Sequence, residues 1–394
     1  MKRVAVLGGG PSGSMAAERL SRAGIETWLF DEKLAWEKPC GGGVTFKAYE
    51  QYPFLLHNKT PKRMVHRSVI GAPRTAPAEL TLPQPICIYS RRDLNQMLLD
   101  RASASGVHIE KTRVLQMNRE SNRWRIETRD GGMEADFVIV ATGARNPLRE
   151  VGTQLRPADA MIALGYYVEA GREDIDIEFL PELEGYIWVF PREKHLSVGI
   201  CGKGEPAQAL RKRLEAYMRS KGLEYEGARF YSHLLPSLET AAWRTNRIAG
   251  EGWLATGDAA GFVDPITGEG IYYAIRSGDL AAELLVADRH APARISQAYR
   301  QVIAKDFGDD LAFAATIARR VYLGTFLFEG IPTRTVQFVN RSPFFADIIR
   351  DIFAGTQPYP TLKKRLLSNF WNIHKDAILK FWLRKLTRNT PEYA

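Results

Sequence analysis

Cysteine is scarce in this chain of 394 residues, which contains only Cys40, Cys87 and Cys201, far apart in the sequence. This scarcity argues against a disulfide framework and fits a reducing compartment, so we expect a cytoplasmic protein. The seven histidines are scattered, and none is spaced from another His or Cys as metal ligands are, so the sequence predicts no metal site. No run of eighteen apolar residues occurs, so we expect no transmembrane helix. The N-terminal stretch MKRVAVLGGG predicts a first β-strand and not a signal peptide.

The composition is that of an ordinary globular protein, with 45% hydrophobic residues. The length allows two or three domains, or one domain with a large insertion. The net charge of +9 is unevenly spread, because residues 361–394 hold eight Lys or Arg and only two acidic residues. A basic excess confined to one end makes a general nucleic-acid surface a poor explanation, so we expect no nucleic-acid partner.

The first candidate site is a glycine-rich turn. The pattern G-x-G-x-x-G is formed by Gly8, Gly10 and Gly13, directly after a predicted strand and at the start of a predicted helix. Such glycines permit a tight turn, close approach of a pyrophosphate and close helix packing, and the helix N-terminus faces the phosphates. Asp31 ends the second strand, where a carboxylate accepts hydrogen bonds from ribose hydroxyls. The pattern predicts a dinucleotide site, against the alternative of a chance glycine-rich turn.

A second glycine turn, TGDAAGFVDPITGEGI over residues 256–271, opens another predicted helix. Asp258 is suited to hold a ribityl hydroxyl, and Gly268 and Gly270 would let a flat ring rest on the helix start. The positive end of that helix would favour the charge that develops on a reduced flavin. A loop that merely closes a sheet is the alternative.

Several stretches together resemble flavoproteins of the p-hydroxybenzoate hydroxylase fold, namely GGGPSGS, FDEK, YSRRDLNQMLLDRA, ADFVIVATGAR and GDAAGFVDPITGEGI. Two others, KPCGGGVT and GYIWVFPREKHLSVGI, narrow the resemblance to the geranylgeranyl reductase family, over roughly residues 1–300. This resemblance implies FAD as cofactor. The candidate cofactor-binding residues are Gly8, Gly10, Ser12, Gly13, Asp31, Glu32, Cys40, Gly41, Arg91, Val114, Ala141, Gly143, Gly257, Asp258, Gly268, Gly270 and Ile271, with Val114 near the adenine.

The resemblance also implies an α/β fold with a discontinuous, Rossmann-like FAD-binding domain of the glutathione reductase type. We expect that domain to comprise residues 1–52, 85–148 and 248–300. An inserted antiparallel β-sheet substrate domain would comprise 53–84 and 149–247, and a C-terminal helical region would comprise 301–394.

The stretch EKPCGGGVT, residues 37–45, sets a cysteine beside three consecutive glycines, which is entropically costly in a folded loop. In the family this loop passes the flavin ring, so the resemblance implies that Gly41, Gly42 and Gly43 admit the ring and a thin substrate. Cys40 would then face the active site, where its thiol could protonate an alkene carbon while the flavin gives hydride. Packing of Cys40 beside the ring as a small hydrophobe is the alternative.

The segment GYIWVFP places Tyr186, Trp188 and Phe190 on one face of a predicted strand. Alternate aromatic residues are explained by plain sheet packing. The resemblance adds a second interpretation, in which they form a substrate wall together with Gly42 and Gly43, with Tyr186 and Trp188 as catalytic candidates beside Cys40. A prenyl chain suits such a wall, because each buried five-carbon unit contributes about 4 kcal/mol.

The C-terminal tail predicts an amphipathic basic helix. Its apolar stripe comprises Leu367, Phe370, Trp371, His374, Ile378, Phe381 and Trp382. Such a helix suits the surface of an anionic membrane, which would make the protein peripheral on the inner face, or it packs on the body with a solvated basic face.

Three features depart from the hydroxylase branch. Thr142-Gly143 stands where that branch carries Asp-Gly, Asn95 stands where Asp is frequent, and no second G-x-G-x-x-G is present. The electron donor is therefore undecided between NAD(P)H and ferredoxin, and the oligomeric state is not indicated.

The expected function is that of an FAD-dependent reductase that saturates C=C bonds of a prenyl group on a lipid, quinone or pigment precursor. The alternatives are an FAD-dependent monooxygenase or halogenase of the same fold, and a non-catalytic flavin or lipid carrier. The YIWVFP segment resembles the Trp-x-Trp-x-Ile-Pro stretch of flavin halogenases, but Tyr186 replaces its first Trp and Phe190 its Ile.

Overall fold

The computed structural model describes residues 1–148, 150–288 and 292–368. The strands, in chain order, are β1 (Arg3–Leu7), β2 (Glu26–Phe30), β3 (Gly43–Val44), β4 (Lys62–Gly71), β5 (Ala78–Tyr89), β6 (His108–Glu110), β7 (Val114–Glu120), β8 (Arg123–Thr128), β9 (Gly131–Ala135), β10 (Phe137–Val140), β11 (Ala160–Val168), β12 (Ile175–Phe179), β13 (Glu184–Pro191), β14 (Leu196–Lys203), β15 (Arg229–Pro236), β16 (Ala249–Gly250), β17 (Trp253–Ala255), β18 (Thr325–Phe326) and β19 (Glu329–Gly330).

The helices, in chain order, are α1 (Pro11–Arg22), α2 (Phe46–Gln51), α3 (Arg91–Ala104), α4 (Ala207–Ser220), α5 (Thr240–Thr245), α6 (Ile271–Ala287), α7 (Pro292–Ile303), α8 (Asp309–Leu323), α9 (Ile331–Arg341), α10 (Pro343–Ala354) and α11 (Tyr359–Ser368). A short π-helical segment, Ala304–Gly308, joins α7 to α8. No helix among these described elements is long and apolar enough to cross a bilayer.

A six-stranded sheet has the order β16-β17-β10-β1-β2-β6, and all its pairs are parallel except β16 with β17. Its central strands, RVAVL and FVIV, are almost wholly apolar because they are buried against helix α1 and against the separate three-stranded sheet of β7, β8 and β9. The predicted strand, glycine turn, helix and second strand of residues 3–30 are confirmed as β1, α1 and β2. This sheet is the Rossmann-like half of the predicted α/β fold.

An eight-stranded sheet has the order β15-β11-β14-β13-β12-β4-β5-β3. Its neighbours pair antiparallel apart from β12 and β4, where Ile175 lies opposite Ser68 in a parallel pair. The sheet draws in Gly43–Val44 and continues to Tyr89, whereas the sequence placed the domain boundaries after residues 52 and 84. Strands of this sheet thus lie on both sides of the two boundaries predicted after residues 52 and 84. The domain boundaries stay a prediction.

The C-terminal region is helical from α7 to α11, apart from the hairpin formed by β18 and β19. The predicted amphipathic tail helix lies outside the described residues beyond position 368, and Leu367 is the one member of its apolar stripe that the structure describes.

Candidate active site

A cavity of about 610 Å³ opens where the carboxyl ends of β1, β2 and β10 meet the N-termini of α1 and α6. Strand β15 of the eight-stranded sheet forms part of its wall. Fourteen of the predicted cofactor-binding residues line it: Gly8, Gly10, Ser12, Asp31, Glu32, Cys40, Arg91, Val114, Ala141, Gly143, Asp258, Gly268, Gly270 and Ile271. The crevice outside the carboxyl ends of parallel strands is the usual ligand site of such folds.

The backbone of the first glycine turn lies close to neighbouring groups, as the G-x-G-x-x-G pattern predicts. Gly8 has a φ of +116°, and a Cβ on it would lie 2.2 Å from the carbonyl oxygen of Ala141. A Cβ on Gly13 would lie 1.9 Å from the Gly8 carbonyl oxygen, so Gly13 lets the helix pack on the turn even though it does not line the cavity. A Cβ on Gly10 would meet nothing within 4 Å. Gly10 also caps α1 without any side-chain hydrogen bond, which leaves backbone N–H groups for an anion.

Asp31 organises the same turn. One carboxylate oxygen accepts a 2.7 Å hydrogen bond from the Gly9 N–H, and the other accepts 2.7 Å bonds from the N–H groups of Lys33 and Leu34. The carboxylate is therefore held in place at the end of β2, with exposed Glu32 beside it on the cavity wall.

Unpaired polar atoms in the cavity wall indicate a polar ligand. Among the described side chains, Arg91 Nε, Thr112 Oγ1 and His233 Nε2 are buried without a hydrogen-bond partner, and all three residues line the cavity. Buried polar groups are nearly always satisfied, so each of these marks a contact for a bound molecule. The glycine cradle and these atoms fit a dinucleotide such as FAD.

Lys38 and Asp258 form an ion pair in the cavity wall. Lys38 Nζ lies 2.7 Å from Asp258 Oδ2, and both side chains are largely buried. Burial raises the pKa of Asp258, but Lys38 outweighs it and the net pKa is lowered. Burial and the nearby Lys38 lower the pKa of His233 to about 3, so its imidazole is neutral at physiological pH. Lys38 and His233 were missed from the sequence, although Lys38 lies two residues before Cys40.

The loop that carries Cys40 is fixed to the eight-stranded sheet. Ser197 on β14 donates a 3.1 Å hydrogen bond to the Cys40 carbonyl oxygen, and Arg192 bonds the same oxygen. Arg192 also pairs with Glu37, which accepts hydrogen bonds from Ser90 at 2.5 Å and from the Arg91 N–H at 2.9 Å. Burial raises the pKa of Glu37, but Arg192, Ser90 and the Arg91 N–H together lower it to about 2. Nothing in the sequence pattern signals this network.

The three glycines after Cys40 face protein groups. Gly42 has a φ of +86°, and a Cβ on it would lie 2.1 Å from the Tyr89 carbonyl oxygen. A Cβ on Gly41 or on Gly43 would lie 3.1 Å from the Phe190 ring. None of the three lines the cavity. The positive φ and the Tyr89 carbonyl group require glycine at position 42, and the Phe190 ring leaves little room for a side chain at positions 41 and 43. That these glycines admit the flavin ring or a thin substrate stays a prediction.

The aromatic residues of β13 share one sheet face. Tyr186, Trp188 and Phe190 pack in one cluster with Tyr322, while Ile187 and Val189 pack on the opposite side. Tyr186 Oη donates a 2.5 Å hydrogen bond to the carbonyl oxygen of Thr267, the residue that precedes Gly268. Burial raises the pKa of Tyr186, so its proton stays on that bond. Tyr186, Trp188 and Phe190 do not line the cavity, and their catalytic or substrate role stays a prediction.

Gly257 and Trp188, two of the predicted site residues, are closely packed against their neighbours. Gly257 is absent from the cavity wall, has a φ of +58°, and a Cβ on it would lie 2.9 Å from Ser12 Oγ. Trp188 lies against Gly199, where a Cβ would approach its ring to 2.2 Å.

Within the described ranges, no group of three or more His, Cys, Asp or Glu side chains is placed to hold a metal ion.

The chain is similar to known flavoproteins. The FAD binding domain family model matches residues 1–302. The geranylgeranyl diphosphate reductase of Synechocystis is 30% identical over 331 residues, which cover 74% of this chain and 77% of that protein. The menaquinone reductase of Mycobacterium tuberculosis is 28% identical over 355 residues, which cover 82% and 85% of the two chains.

Solved structures share the fold. A geranylgeranyl bacteriochlorophyll reductase-like protein from Thermoplasma acidophilum superposes with a TM-score of 0.77 at 21% identity, covering 93% of this chain and 99% of that one. The flavin-dependent brominase Bmp2 has a TM-score of 0.69 at 16% identity and covers 98% and 99%. At these identities the likeness concerns the fold alone.

Proposed function

We propose, since this chain belongs to the geranylgeranyl reductase family of FAD-dependent oxidoreductases, that it saturates C=C bonds in the prenyl group of a lipid, quinone or pigment precursor. The observation that carries the proposal is the position of Cys40 on the wall of the cavity that both glycine turns open. The relatives named as reductases of geranylgeranyl diphosphate and menaquinone support a hydrophobic substrate.

FAD would place its phosphates and its flavin ring against different residues of the cavity wall. The N-terminus of α1 at Gly10 would hold the pyrophosphate of FAD, and Asp31 or Glu32 would hold the adenosine ribose. Arg91 would direct its unpaired Nε at the cofactor. Gly268 and Gly270, at the start of α6, would support the ring.

Reduced FAD, when bound, supplies the hydride that one alkene carbon receives. The Cys40 thiol gives its proton to the other alkene carbon, so the C=C bond becomes a CH–CH bond and sulfur is left as a thiolate. The Gly42 N–H points at Cys40 Sγ at 3.3 Å and stabilises that negative charge. The thiolate then takes a proton from water.

Part of the cavity wall favours an apolar substrate. Leu234 and Leu235 on β15 line the cavity, as does Ala163 on β11. Each five-carbon unit buried against such surface contributes about 4 kcal/mol, so the prenyl chain needs no polar group for affinity.

The test is anaerobic turnover. The FAD-loaded protein is reduced with dithionite, because the natural donor is undecided between NAD(P)H and ferredoxin, and is then mixed with geranylgeranyl diphosphate, menaquinone or a geranylgeranyl-bearing pigment precursor. We expect flavin reoxidation together with the gain of two hydrogens for each bond reduced, located in the prenyl chain by tandem mass spectrometry because reduction of a quinone ring also adds two hydrogens. Reoxidation that requires oxygen and consumes it in proportion to substrate would instead identify a monooxygenase or halogenase. A reduced flavin that no prenyl compound reoxidises would identify a carrier.

A further inference from the structure

A small apolar hairpin projects from the C-terminal helices. Strands β18 and β19 pair at Thr325 with Gly330 and at Phe326 with Glu329, which leaves Leu327 and Phe328 as a two-residue loop. Phe326 is 45% exposed, Leu327 is 54% exposed and Phe328 is fully exposed. Leu323, at the end of α8, adds a fourth exposed apolar side chain at the base.

Leu327 and Phe328 are unusual residues for the backbone conformation of this loop. Leu327 has a φ of +49° and Phe328 a φ of +66°, as both central residues of a type I′ turn require. Asn-Gly is the preferred pair for that turn, and bulky residues with positive φ are strained. The hairpin therefore keeps two large apolar groups at positions where its backbone would be more stable without them. Such a feature indicates that the exposed apolar tip has a use.

Two backbone carbonyl groups of the tip accept hydrogen bonds from a side chain of the protein and do not need water. Arg334 on α9 donates from Nε to the Phe326 carbonyl oxygen at 3.2 Å, and its Nη2 bonds the Leu327 carbonyl oxygen. Carbonyl groups that enter a lipid phase must be satisfied from within the protein. The arginine thus satisfies the carbonyl groups of Phe326 and Leu327.

The stretches of chain that flank the tip are basic. Residues 313–341 include four arginines, Arg319, Arg320, Arg334 and Arg341, and one acidic residue, Glu329. Arg74 pairs with Glu329 at 3.2 Å and offsets that charge. Arg319 and Arg320 are exposed in the last turns of α8, beside the hairpin. A protruding apolar wedge over a basic base is complementary to an anionic bilayer, where lipid phosphates meet the arginines and acyl chains meet the tip.

We infer that the hairpin of residues 323–330 inserts its Leu327–Phe328 tip into the surface of a bilayer that contains anionic lipid. This contact is distinct from the basic tail that the sequence indicated, and it does not depend on the reaction catalysed. Tyr322, which precedes the hairpin, is buried in the aromatic cluster with Trp188 and bonds the Ile266 carbonyl oxygen. The docked hairpin therefore brings that cluster close to the lipid surface.

The test is co-sedimentation of the full-length, FAD-loaded protein with vesicles of phosphatidylcholine alone or mixed with phosphatidylglycerol. The double variant Leu327→Asn/Phe328→Gly installs the preferred turn pair, so the hairpin stays folded while the apolar tip is lost. We expect the ratio of bound to free protein on anionic vesicles to fall ~10-fold or more. The matched control is Leu115→Asn, which removes a 53% exposed leucine from β7 and should bind as the wild type does.

A second variant separates charge from insertion. Arg319→Gln/Arg320→Gln should weaken binding to the anionic vesicles and leave binding to phosphatidylcholine alone unchanged, because only the anionic surface attracts the arginines. Unchanged sedimentation of the Asn-Gly variant would overturn the inference. A loss of self-association in that variant, without a loss of vesicle binding, would assign the tip to contact between copies of the chain.

Discussion

Arg192 Nη2 donates a 2.5 Å hydrogen bond to the carbonyl oxygen of Cys40. The arginine follows β13 directly and its side chain is only 1% exposed, so this bond ties the loop at the cavity wall to the eight-stranded sheet. The same guanidinium pairs with Glu37 three residues earlier in that loop. The position of the Cys40 thiol is thus set by an arginine 152 residues away in the chain.

Arg192→Met should destabilise the protein by about 3–5 kcal/mol, because it leaves the carboxylate of Glu37 buried without its cation. The double variant Arg192→Met/Glu37→Gln should recover a large part of that loss, since no buried charge is then left unpaired. The free energies of unfolding come from urea denaturation of the two variants, of Glu37→Gln and of the wild type. Equal destabilisation in the single Arg192→Met and in the double variant would contradict the pairing.

The glycines of the first turn should separate cofactor binding from folding. Gly10 has a φ of −72°, which alanine adopts without strain, and its Cβ would point into open space. Gly10→Ala should therefore fold normally and bind FAD ~10-fold or more weakly, because the methyl group occupies the place of a phosphate. Gly13→Ala should lose thermal stability instead, since its Cβ would lie 1.9 Å from the Gly8 carbonyl oxygen.

The comparison of the two glycine variants uses FAD titration by fluorescence quenching and thermal unfolding followed by circular dichroism. If Gly10→Ala binds FAD as tightly as the wild type does, the proposal that the pyrophosphate lies at the N-terminus of α1 is wrong. An unchanged melting temperature in Gly13→Ala would show that the turn relaxes around an added methyl group.

The sequence predicted the elements whose signals are local. The apolar strand at Val4, the glycine turn and the amphipathic α1 are encoded within thirty residues, and most of the predicted cofactor-binding residues meet in one cavity. Contacts between distant residues carry no such signal, so the pairs Lys38–Asp258 and Glu37–Arg192 were missed.

Two further features escaped prediction for different physical reasons. The hairpin at Leu327 lacks the Gly or Asn that marks a tight turn, so its short strands looked like part of a helical region. The packing of Gly41 and Gly43 against Phe190, and of Gly42 against the Tyr89 carbonyl group, was not foreseen because a sequence does not reveal which distant groups face a loop.

Cys40→Ala should separate acid catalysis from packing. If the thiol protonates the alkene, the variant should bind FAD normally, accept electrons from dithionite normally, and reduce the substrate about 100-fold more slowly or worse. If Cys40 only packs beside the ring, alanine should retain most of the rate. Stopped-flow measurement of the two half-reactions distinguishes the cases. Cys87→Ala, at a buried cysteine that does not line the cavity, is the control and should leave the second half-reaction unchanged.

Glu269 should make the stability of the protein depend on pH. Burial of the carboxyl group and the nearby Asp264 raise its pKa from 4.5 to about 7, against the opposing effect of Lys47. Between those two pH values the folded state binds more protons at this site than the unfolded state does. By linkage this group's contribution to the free energy of unfolding therefore falls as pH rises from about 4.5 to about 7, and it is constant above that range.

Glu269→Gln removes this titration while it keeps an oxygen that can accept the 3.0 Å hydrogen bond from the Tyr272 N–H. The melting temperature of the variant should fall less than that of the wild type between pH 5 and pH 7.5, with the two curves furthest apart at the upper end. Glu283→Gln, which alters an exposed carboxylate on the same helix, α6, serves as the control and should follow the wild type. Parallel curves for Glu269→Gln and the wild type would mean that Glu269 is ionised in the folded protein throughout this range, and that Lys47 outweighs its burial.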